Sequence, residues 1–437
     1  MWGKLRMNSS PETHAKIVTI DVIILDTHPA GDSRVNRHVA FLLKEGYSVY
    51  RIHINRFYPS LQEGPFSNHG EKGYRINLFD MKNSGKNSIL YNIYALTILQ
   101  KRVRDVLRVL GWEGGSCSIF HVHDPSLLLV AKKITLPHKT ATIVYDRHEV
   151  YEHGKKHFGL TFPCIERLYE VLSKRAVRGV ITVSEGYIPA CKDLFPHAVV
   201  KAVPNFPNSS DYNIRIIDGK LKSFITDPQI NIVYFGSLDY HYDRDIALIL
   251  KISDQILADY PGTNVYIGGQ TGDQALINDF TQLSKKYPGR FHFTGFLPRE
   301  EVIRITEKAH LGYCLLKPNT CYWVRISPNK VFEYLMCGTI PIIRADVDYA
   351  DVFSRCSLIF DRYASEGEII SSIGSLIQQP ERMLWMMKEA LAVRKNFLYE
   401  IVAARYVQLY WEIRPPLSPH HEYNKANSSF KLSNSQK

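Results

Sequence analysis

The segment ISPNKVFEYLMCGTIPII (326–343) combines a helix start, an apolar helix and a buried strand. Pro328 suits the first turn of a helix, so that Ser327 is the predicted N-cap. Gly338 ends this helix, and TIPII (339–343) is typical of a strand that is covered on both faces. The segment therefore predicts one helix–strand unit of an α/β fold.

The same alternation of helices and apolar strands extends in both directions from this segment. In the second half of the chain we expect strands at 230–238, 264–269, 290–296, 311–316 and 339–343. In the first half we expect strands at 17–25, 48–54, 74–79, 119–124, 142–146 and 179–183. Apolar strands separated by helices predict parallel sheets covered on both faces and joined by right-handed crossovers.

A stretch rich in Pro, Asn and Ser, PNFPNSSDYN (204–213), separates the two alternating halves and is the best linker candidate. We therefore expect an α/β protein with two doubly wound, Rossmann-like domains facing each other across a cleft. The expected segments are a flexible N-terminus (1–16), a first domain (17–205), a linker (206–229), a second domain (230–395), a helix crossing back to the first domain (396–413) and a disordered tail (414–437). Ligands of such sheets bind beyond the carboxyl ends of the strands.

The composition is that of a globular protein with an excess of basic residues. Of the 437 residues, 45% are hydrophobic and 22% are charged, and the net charge is +11. This charge favours an anionic partner: nucleic acid, an anionic membrane face or a phosphorylated substrate. Seven cysteines without a CxxC pair indicate neither a disulfide framework nor a zinc site, and they fit a reducing compartment.

No segment has the pattern of a secretion signal or of a membrane span. Residues 1–16 lack an apolar core, and no run approaches the roughly 20 apolar residues that cross a bilayer. We expect a cytoplasmic protein. A helix near 88–110, with Tyr91 and Tyr94 among basic residues, suggests peripheral binding to an anionic inner membrane face; an ordinary helix with a solvated basic side is the alternative.

The helix start at 327–329 has the chemistry of a phosphate site. Its free backbone N–H groups and the helix dipole attract an anion, and Lys330 adds a full positive charge. Glu333 shares a helix face with Lys330, and its carboxylate could accept two hydrogen bonds from a ribose diol. A capped helix with a surface Lys–Glu pair fits the same spacing, so that both alternatives stay open on spacing alone.

Here the sequence resembles a known family. SPNKVFEY (327–334), followed by MCG and IPII, is similar to the donor-site signature of retaining glycosyltransferases of the family 4 type (glycosyltransferase group 1), which have the GT-B fold. Further similar segments follow in order: GDSRVNRHVAFLLKEGYSV (31–49), HVHDPSLLL (121–129), VYDRHEVYE (144–152), VITVSEGY (180–187), VPNFPN (203–208), YFGSLDYHYDRD (234–245), FTGFLPREE (293–301) and NFLYEIVAARYVQLYWEI (396–413). Each match is weak alone, but their order and spacing together are specific, and they cover residues 17–413.

The resemblance implies an enzyme that moves a sugar from a nucleotide diphosphate sugar to a hydroxyl acceptor, which is a glycan, a lipid-linked glycan or another molecule. It implies retention at the anomeric carbon and no essential metal or other cofactor, with a UDP sugar expected first and a GDP sugar second. The first domain is then the acceptor side, and the second domain binds the donor. The candidate donor-binding residues are Gly31, Gly236, Arg244, Arg325, Ser327, Pro328, Asn329, Lys330 and Glu333.

Two departures from the family pattern concern charge. The family often has two Glu residues in this motif; Glu333 is the second, and Arg325 occupies the position of the first. An Arg there could contact a phosphate, or an acidic donor or acceptor. Ser237 stands where many members have Arg, so that Arg244 becomes the second candidate cation for the diphosphate beside Lys330, with a solvated helix-start Arg as the alternative.

The acceptor-side candidates follow strands of the first half. By resemblance, His123 lies near the donor sugar; a structural His bonded to backbone is the alternative. Asp124, His148 and Glu149 are candidates for a general base, which must reach the acceptor hydroxyl. Gly31 would let the backbone approach the diphosphate, unless its loop is a simple turn. The proposed catalytic set is His123, Asp124, Arg244 and Lys330, with His148 and Glu149 on the acceptor side.

Several other functions lack support. No GxxxxGK[ST] or GxGxxG follows a strand, and no HExxH or Cys/His metal spacing occurs. Asp346 and Asp348 form a DxD, which holds a metal in another glycosyltransferase fold but is predicted here to be a surface loop. Nucleic-acid binding rests on charge alone and is not expected. The main alternative, motivated by Arg325, is a non-catalytic GT-B homologue that binds a nucleotide sugar or glycan as a scaffold or activator.

Overall fold

A computed structural model describes residues 20–28, 32–55, 60–78, 98–114, 117–148, 161–226, 229–240, 243–318 and 325–414. Its strands and helices alternate along most of the chain. The strands are β1 (Asp21–Asp26), β2 (Ser48–Asn55), β3 (Gly64–Phe66), β4 (Lys72–Asn77), β5 (Ser118–Val122), β6 (Ala141–Arg147), β7 (Val177–Thr182), β8 (Val199–Ala202), β9 (Ile230–Phe235), β10 (Thr263–Gly268), β11 (Phe291–Gly295), β12 (Leu311–Leu315), β13 (Ile340–Arg344) and β14 (Leu358–Phe360).

The helices range from one turn to four turns in length. They are α1 (Ser33–Lys44), α2 (Gln100–Val109), α3 (Pro125–Thr135), α4 (Thr161–Ser173), α5 (Ile188–Leu194), α6 (Ile214–Ser223), α7 (Ile246–Asp259), α8 (Gln274–Lys286), α9 (Arg299–Glu307), α10 (Asn329–Met336), α11 (Ala350–Phe353), α12 (Glu366–Ile377), α13 (Pro380–Val393) and α14 (Tyr399–Ile413). Among the described residues, none of these helices is both long and apolar enough to cross a bilayer.

The strands form two sheets, in the orders β3-β4-β2-β1-β5-β6-β7-β8 and β11-β10-β9-β12-β13-β14. The neighbouring pairs of the second sheet are parallel, as in the register of Val265 opposite Ile232. Counted along the chain, its order is 3-2-1-4-5-6, which is the doubly wound Rossmann order with a switch point between β9 and β12. The expected α/β class with two parallel sheets is confirmed.

The first sheet departs from a purely parallel arrangement at one edge. There β3 pairs antiparallel with β4, whereas β1, β2 and β4 pair in parallel. The sequence did not predict β3, β8 or β14, because these strands have only three or four residues and are too short to show periodicity. The longer elements of the second half lie within a few residues of their expected limits.

The described chain packs as two compact units. One contains the residues up to His121, residues 133–142 and those from Arg414; the other contains 122–132 and 143–413. The core of the second unit is built from apolar residues of β9, β10 and β12 with side chains of α7, α8, α12 and α13. The predicted domain boundaries stay a prediction, and the N-terminus (1–16) and the tail from 415 lie outside the described residues.

A buried lysine anchors the C-terminal end of α10. The Nζ of Lys220, on α6, donates hydrogen bonds to the carbonyl oxygens of Cys337 (2.7 Å) and Ala309 (2.6 Å). Burial lowers the pKa of Lys220 to about 8. The two carbonyls thus remain satisfied, since a neutral amine still has two hydrogens to donate.

We expect Lys220 to make the free energy of unfolding rise with pH in the alkaline range. The pKa is about 8 in the fold against an ordinary 10.5, so that the unfolded chain binds one more proton between these values. This proton should raise the free energy of unfolding by about 1.4 kcal/mol per pH unit over that range. Urea unfolding of Lys220→Met should lack this rise, and Lys222→Met, exposed on the same helix, should keep it. Equal slopes in both variants would contradict the assignment.

Candidate functional site

Glycines bring the backbones of β9 and β10 close together beyond their carboxyl ends. Gly236 follows β9, and its N–H donates to the carbonyl of Gly268 at 3.0 Å. A Cβ on Gly269, whose φ is 155°, would lie 1.8 Å from the carbonyl oxygen of Gly236. Only glycine fits at position 269. The backbone at Gly236 and Gly269, at the edge of the sheet beside the switch point, is therefore not covered by side chains of its own.

Lys330 lies directly against this backbone. Its Nζ is 2.5 Å from the position that a Cβ on Gly236 would take, and it lies over the ring of Tyr234, 5.2 Å from the centroid. Within the described ranges, Nζ has neither a hydrogen-bond acceptor nor an ion-pair partner. Burial lowers the pKa of Lys330, the nearby charge of Arg244 lowers it further, and Glu333 opposes the shift. A desolvated cation without a counterion is a favourable place for an anion.

The start of α10 differs from the predicted one. Its N-cap is Pro328, which has no side-chain cap bond, and the first helical residue is Asn329. The prediction of Ser327 as the N-cap was wrong, because the Oγ of Ser327 instead donates to Asp348 Oδ2 at 2.6 Å. The amides of Asn329 and Lys330 have no acceptor among the described residues, so that two N–H groups remain available at the positive end of the helix dipole.

Arg244 supplies the second positive charge near Lys330. It lies between β9 and α7, where it forms an isolated bridge with Leu316 just beyond β12. Its guanidinium also makes an ion pair with the carboxylate of Asp243. Arg244 is therefore close enough to influence the pKa of Lys330, but part of its charge is balanced by Asp243, and its binding of a diphosphate stays a prediction.

Glu333 has a partner that the sequence did not reveal. Its Oε1 lies 3.1 Å from Arg299 Nη1, and Arg299 Nη2 lies 3.3 Å from Asp211 Oδ2. Although burial opposes it, the charge of Glu333 raises the pKa of Arg299. Binding of a ribose by Glu333 stays a prediction, and it would have to use the carboxylate alongside this ion pair.

Asp348 ties the segment before α10 to the end of β7. Besides the bond from Ser327, its Oδ2 lies 2.6 Å from Ser184 Oγ and accepts from the amide of Glu185 at 3.0 Å. Asp348 is only 4% exposed, so that the prediction of a surface loop was wrong for this residue. Its partner in the DxD, Asp346, is exposed and makes an ion pair with Arg362. Hydrogen bonds from Ser327 and from the amide of Glu185, with Ser184 Oγ also within hydrogen-bond distance, explain Asp348 as a structural acceptor.

Arg325 is held by its backbone and not by its side chain. Its carbonyl oxygen lies 2.8 Å from Ser184 Oγ, and a Cβ on Gly186 would lie 2.3 Å from the same oxygen. The side chain is exposed and has no ion-pair partner among the described residues. The structure thus leaves a cation available immediately before the helix start.

Two of the predicted acceptor-side residues come together around a carboxylate. His123 Nδ1 lies 3.1 Å from His148 Nε2, and the oxygens of the buried Asp146 lie 3.6 Å from each of these nitrogens. The sequence analysis missed Asp146, although it stands near the end of a strand in VYD. The carbonyl of Asp124 accepts from Leu127 at the start of α3. Gly31 and Glu149 lie outside the described residues.

The strand-end carboxylate of the first unit is already neutralised. Asp26 Oδ2 accepts from Arg51 Nε at 2.9 Å, and Oδ1 lies 3.0 Å from His53 Nδ1. Burial alone would raise the pKa of Asp26, but these two partners hold it well below its usual range. Asp26 is therefore a fixed anion in a buried ion pair, and we assign it no role in chemistry.

Comparison with known proteins identifies the fold. No protein-family model and no curated protein sequence matches the chain. Solved structures do match: sucrose-phosphate synthase from Thermosynechococcus elongatus has 13% sequence identity and a TM-score of 0.68, covering 90% of this chain and 98% of that one. An α,α-trehalose 6-phosphate synthase from Burkholderia multivorans has 12% identity and a TM-score of 0.66, covering 91% and 99%.

A third similar structure is Anabaena HepE in complex with UDP-glucose, with 12% identity, a TM-score of 0.61, and coverage of 90% of this chain and 99% of that one. At such low identity, these likenesses show a shared fold. The chain therefore has the GT-B architecture of two Rossmann-like sheets that the sequence resemblance implied. The family 4 type itself receives no support from the matches.

Gly236→Ala should displace Lys330 and weaken anion binding. The new Cβ would meet Nζ at 2.5 Å, and the side chain would have to move away from the backbone of β9. We expect binding of inorganic pyrophosphate, measured by calorimetry, to weaken about tenfold or more, as for a lost charge-assisted hydrogen bond. The control is Gly219→Ala on α6, which has open space and should stabilise the helix by about 1 kcal/mol. Unchanged binding by the Gly236 variant would contradict the site.

Asp348→Asn should reveal the strength of the contact between the loop after β13 and Ser327. The amide keeps one acceptor but loses the charge, so that we expect a loss of roughly 2 kcal/mol in the free energy of unfolding. Ser327→Ala should cost much less in the Asp348→Asn background than in the wild type, because both changes remove one interaction. Asp351→Asn, on an exposed residue, is the control. Additive effects of the two changes would show that the bond contributes little.

Proposed function

We propose that the protein is a glycosyltransferase that moves a sugar from a nucleotide diphosphate sugar to a hydroxyl acceptor. The observation that carries this proposal is the Nζ of Lys330, which is desolvated, lies against Gly236 and has no counterion in the described part of the chain. A diphosphate would supply the missing negative charge. The similar fold of HepE, which binds UDP-glucose, supports a UDP sugar as the donor, with a GDP sugar as the second choice.

The chemistry requires a leaving diphosphate to be stabilised while the bond from the anomeric carbon to its oxygen breaks. Lys330 and Arg244 supply positive charge to that oxygen, and the amides of Asn329 and Lys330 donate hydrogen bonds. Because these groups are in place before the reaction, they stabilise the developing charge without a large reorganisation. The proposal therefore needs no resident metal and no other cofactor.

The acceptor hydroxyl attacks the same anomeric carbon and loses its proton. On the acceptor side we propose His123 and His148, with Asp146 holding their ring nitrogens in position. Resemblance to the family 4 type supports retention, in which the leaving phosphate itself takes the proton from the acceptor on the same face. In that case the His pair orients the acceptor and the donor sugar.

The wider role that we propose is polysaccharide biosynthesis in the cytoplasm. The described cysteines, which are Cys117, Cys191, Cys314, Cys337 and Cys356, are free thiols, as in a reducing compartment. A glycan or a lipid-linked glycan is the proposed acceptor. The expected basic-aromatic membrane face at 88–110 stays a prediction, because residues 79–97 lie outside the described ranges.

A second function is favoured by the charges near α10. Arg325 replaces a carboxylate of the family motif, and Glu333 is engaged by Arg299. Both features fit a non-catalytic homologue that binds a nucleotide sugar as a scaffold or activator. The two functions differ in turnover: an enzyme releases UDP or GDP from its donor, at least slowly to water, whereas a binding protein raises its melting temperature with the same donor and releases nothing.

Lys330→Ala tests the proposed enzyme directly. We expect the release of UDP from UDP-glucose, or of the nucleotide from whichever sugar of a UDP and GDP panel is active, to fall about 10²-fold, because a key charge stabiliser is lost. Lys285→Ala, on the exposed end of α8, is the matched control and should keep wild-type rates. A near-normal rate in Lys330→Ala would refute the role of this lysine. Binding of UDP that depends on Lys330, without nucleotide release by the wild type, would favour the scaffold.

A further inference from the structure

In the part of α4 whose side chains the structure describes (166–173), two carboxylates and Tyr169 face inward, whereas three apolar side chains face outward. Glu166 and Glu170 are buried, whereas the exposed fractions of Leu168, Val171 and Leu172 are 53%, 40% and 50%. The hydrophobic effect favours the opposite arrangement for a helix whose outer face meets only water. An interaction inside the protein must therefore offset the cost of exposing these apolar side chains, and their exposure indicates a binding surface.

The cause is a buried ion pair that fixes the rotation of the helix. Arg147 donates to Glu170 Oε1 from Nε at 2.7 Å and to Oε2 from Nη2 at 3.1 Å. The hydroxyl of Tyr145 also bonds Oε1 at 3.2 Å. Because turning the helix would leave a buried charge without its partner, the apolar side chains stay on the outer face.

The same face is bordered by positive charge. Leu168, Val171 and Leu172 are spaced as neighbours on one side of the helix. Lys174 and Arg175 lie in the turn that follows the helix, and Arg178 lies at the start of β7. From Arg167 to Arg178, the exposed side chains are the three apolar ones and three basic ones. We call this set the α4 face; it consists of Leu168, Val171, Leu172, Lys174, Arg175 and Arg178. The three basic residues have no ion-pair partner among the described residues.

We propose that the α4 face binds the surface of an anionic lipid bilayer. The Leu and Val side chains would enter the boundary between headgroups and acyl chains, and the Lys and Arg side chains would pair with lipid phosphates. A second copy of the chain is a poorer occupant, since two α4 faces would oppose like charges and the chain carries a net charge of +11. The proposal does not depend on the donor chemistry. Binding through the α4 face would place the protein at the membrane surface, where a lipid-linked acceptor is found.

Vesicle flotation with the full-length protein tests this proposal. The vesicles contain phosphatidylcholine alone or with roughly one-third phosphatidylglycerol, enough to give a negative surface potential. We expect the wild type to bind only the anionic vesicles and to dissociate as salt rises from about 0.05 to about 0.5 M. Lys174→Glu with Arg175→Glu should weaken binding by about fivefold or more for each residue. Leu168→Ser with Leu172→Ser should weaken it roughly tenfold.

Matched controls separate the α4 face from general surface properties. Ile225→Ser with Ile401→Ser changes two exposed apolar residues elsewhere, and Lys222→Glu with Lys285→Glu changes two exposed basic residues. Both pairs should keep most of the vesicle affinity. Circular dichroism and UDP binding should be the same in all variants, which shows that the folds and the donor site are intact.

Two results would overturn the proposal. One is a wild type that does not bind anionic vesicles, or that binds them equally well after both α4 changes. The other is a wild-type dimer in light scattering that Leu168→Ser with Leu172→Ser converts to a monomer, without vesicle binding, since this would assign the face to a second copy. Loss of vesicle binding with unchanged UDP binding supports the α4 face, whereas failure of UDP binding in every variant concerns only the donor site.

Discussion

The second sheet and helix α10 meet in one close approach, in which the ammonium of Lys330 occupies the space that a side chain at Gly236 would need. The helix that carries this lysine is held at both ends. Lys220 binds the carbonyl of Cys337, directly after the last residue of α10, and Asp348 binds Ser327 just before the first turn. The position of one charged group is thus set by contacts with three other segments of the chain.

Buried Lys220 and half-buried Lys330 show two ways in which a protein can place a desolvated lysine. Burial lowers the pKa of both Lys220 and Lys330. Lys220 recovers part of the cost of desolvation by donating two hydrogen bonds to carbonyls that would otherwise be unsatisfied. Lys330 has no comparable compensation in the described part of the chain, so that the fold carries an electrostatic cost that a bound anion would relieve. Such local costs are typical of functional sites and not of cores.

The sequence predicted the fold and the position of α10 well because both are local patterns. Long apolar strands and amphipathic helices show their periodicity in the chain, and the short strands β3, β8 and β14 do not. The partners of the site are harder to predict, since Ser184 meets Asp348 across 164 positions and Arg299 meets Glu333 across 34. The wrong N-cap has the same origin. Local preferences predicted that Ser327 caps the helix, but its hydroxyl donates to Asp348, which is distant in the sequence.

The lowered pKa of Lys330 also has a consequence for reactivity. A lysine that loses its proton more readily exposes a free amine for more of the time, and the amine is the form that attacks electrophiles. Lys330 is half-buried, and its first-turn position leaves it nearer to solvent than Lys220. At mild pH, an acylating reagent should therefore modify Lys330 more readily than a lysine of equal exposure whose pKa is ordinary. A bound diphosphate would keep Lys330 protonated and would therefore protect it from the reagent. The extent of labelling would then decrease with the fraction of protein that has diphosphate bound.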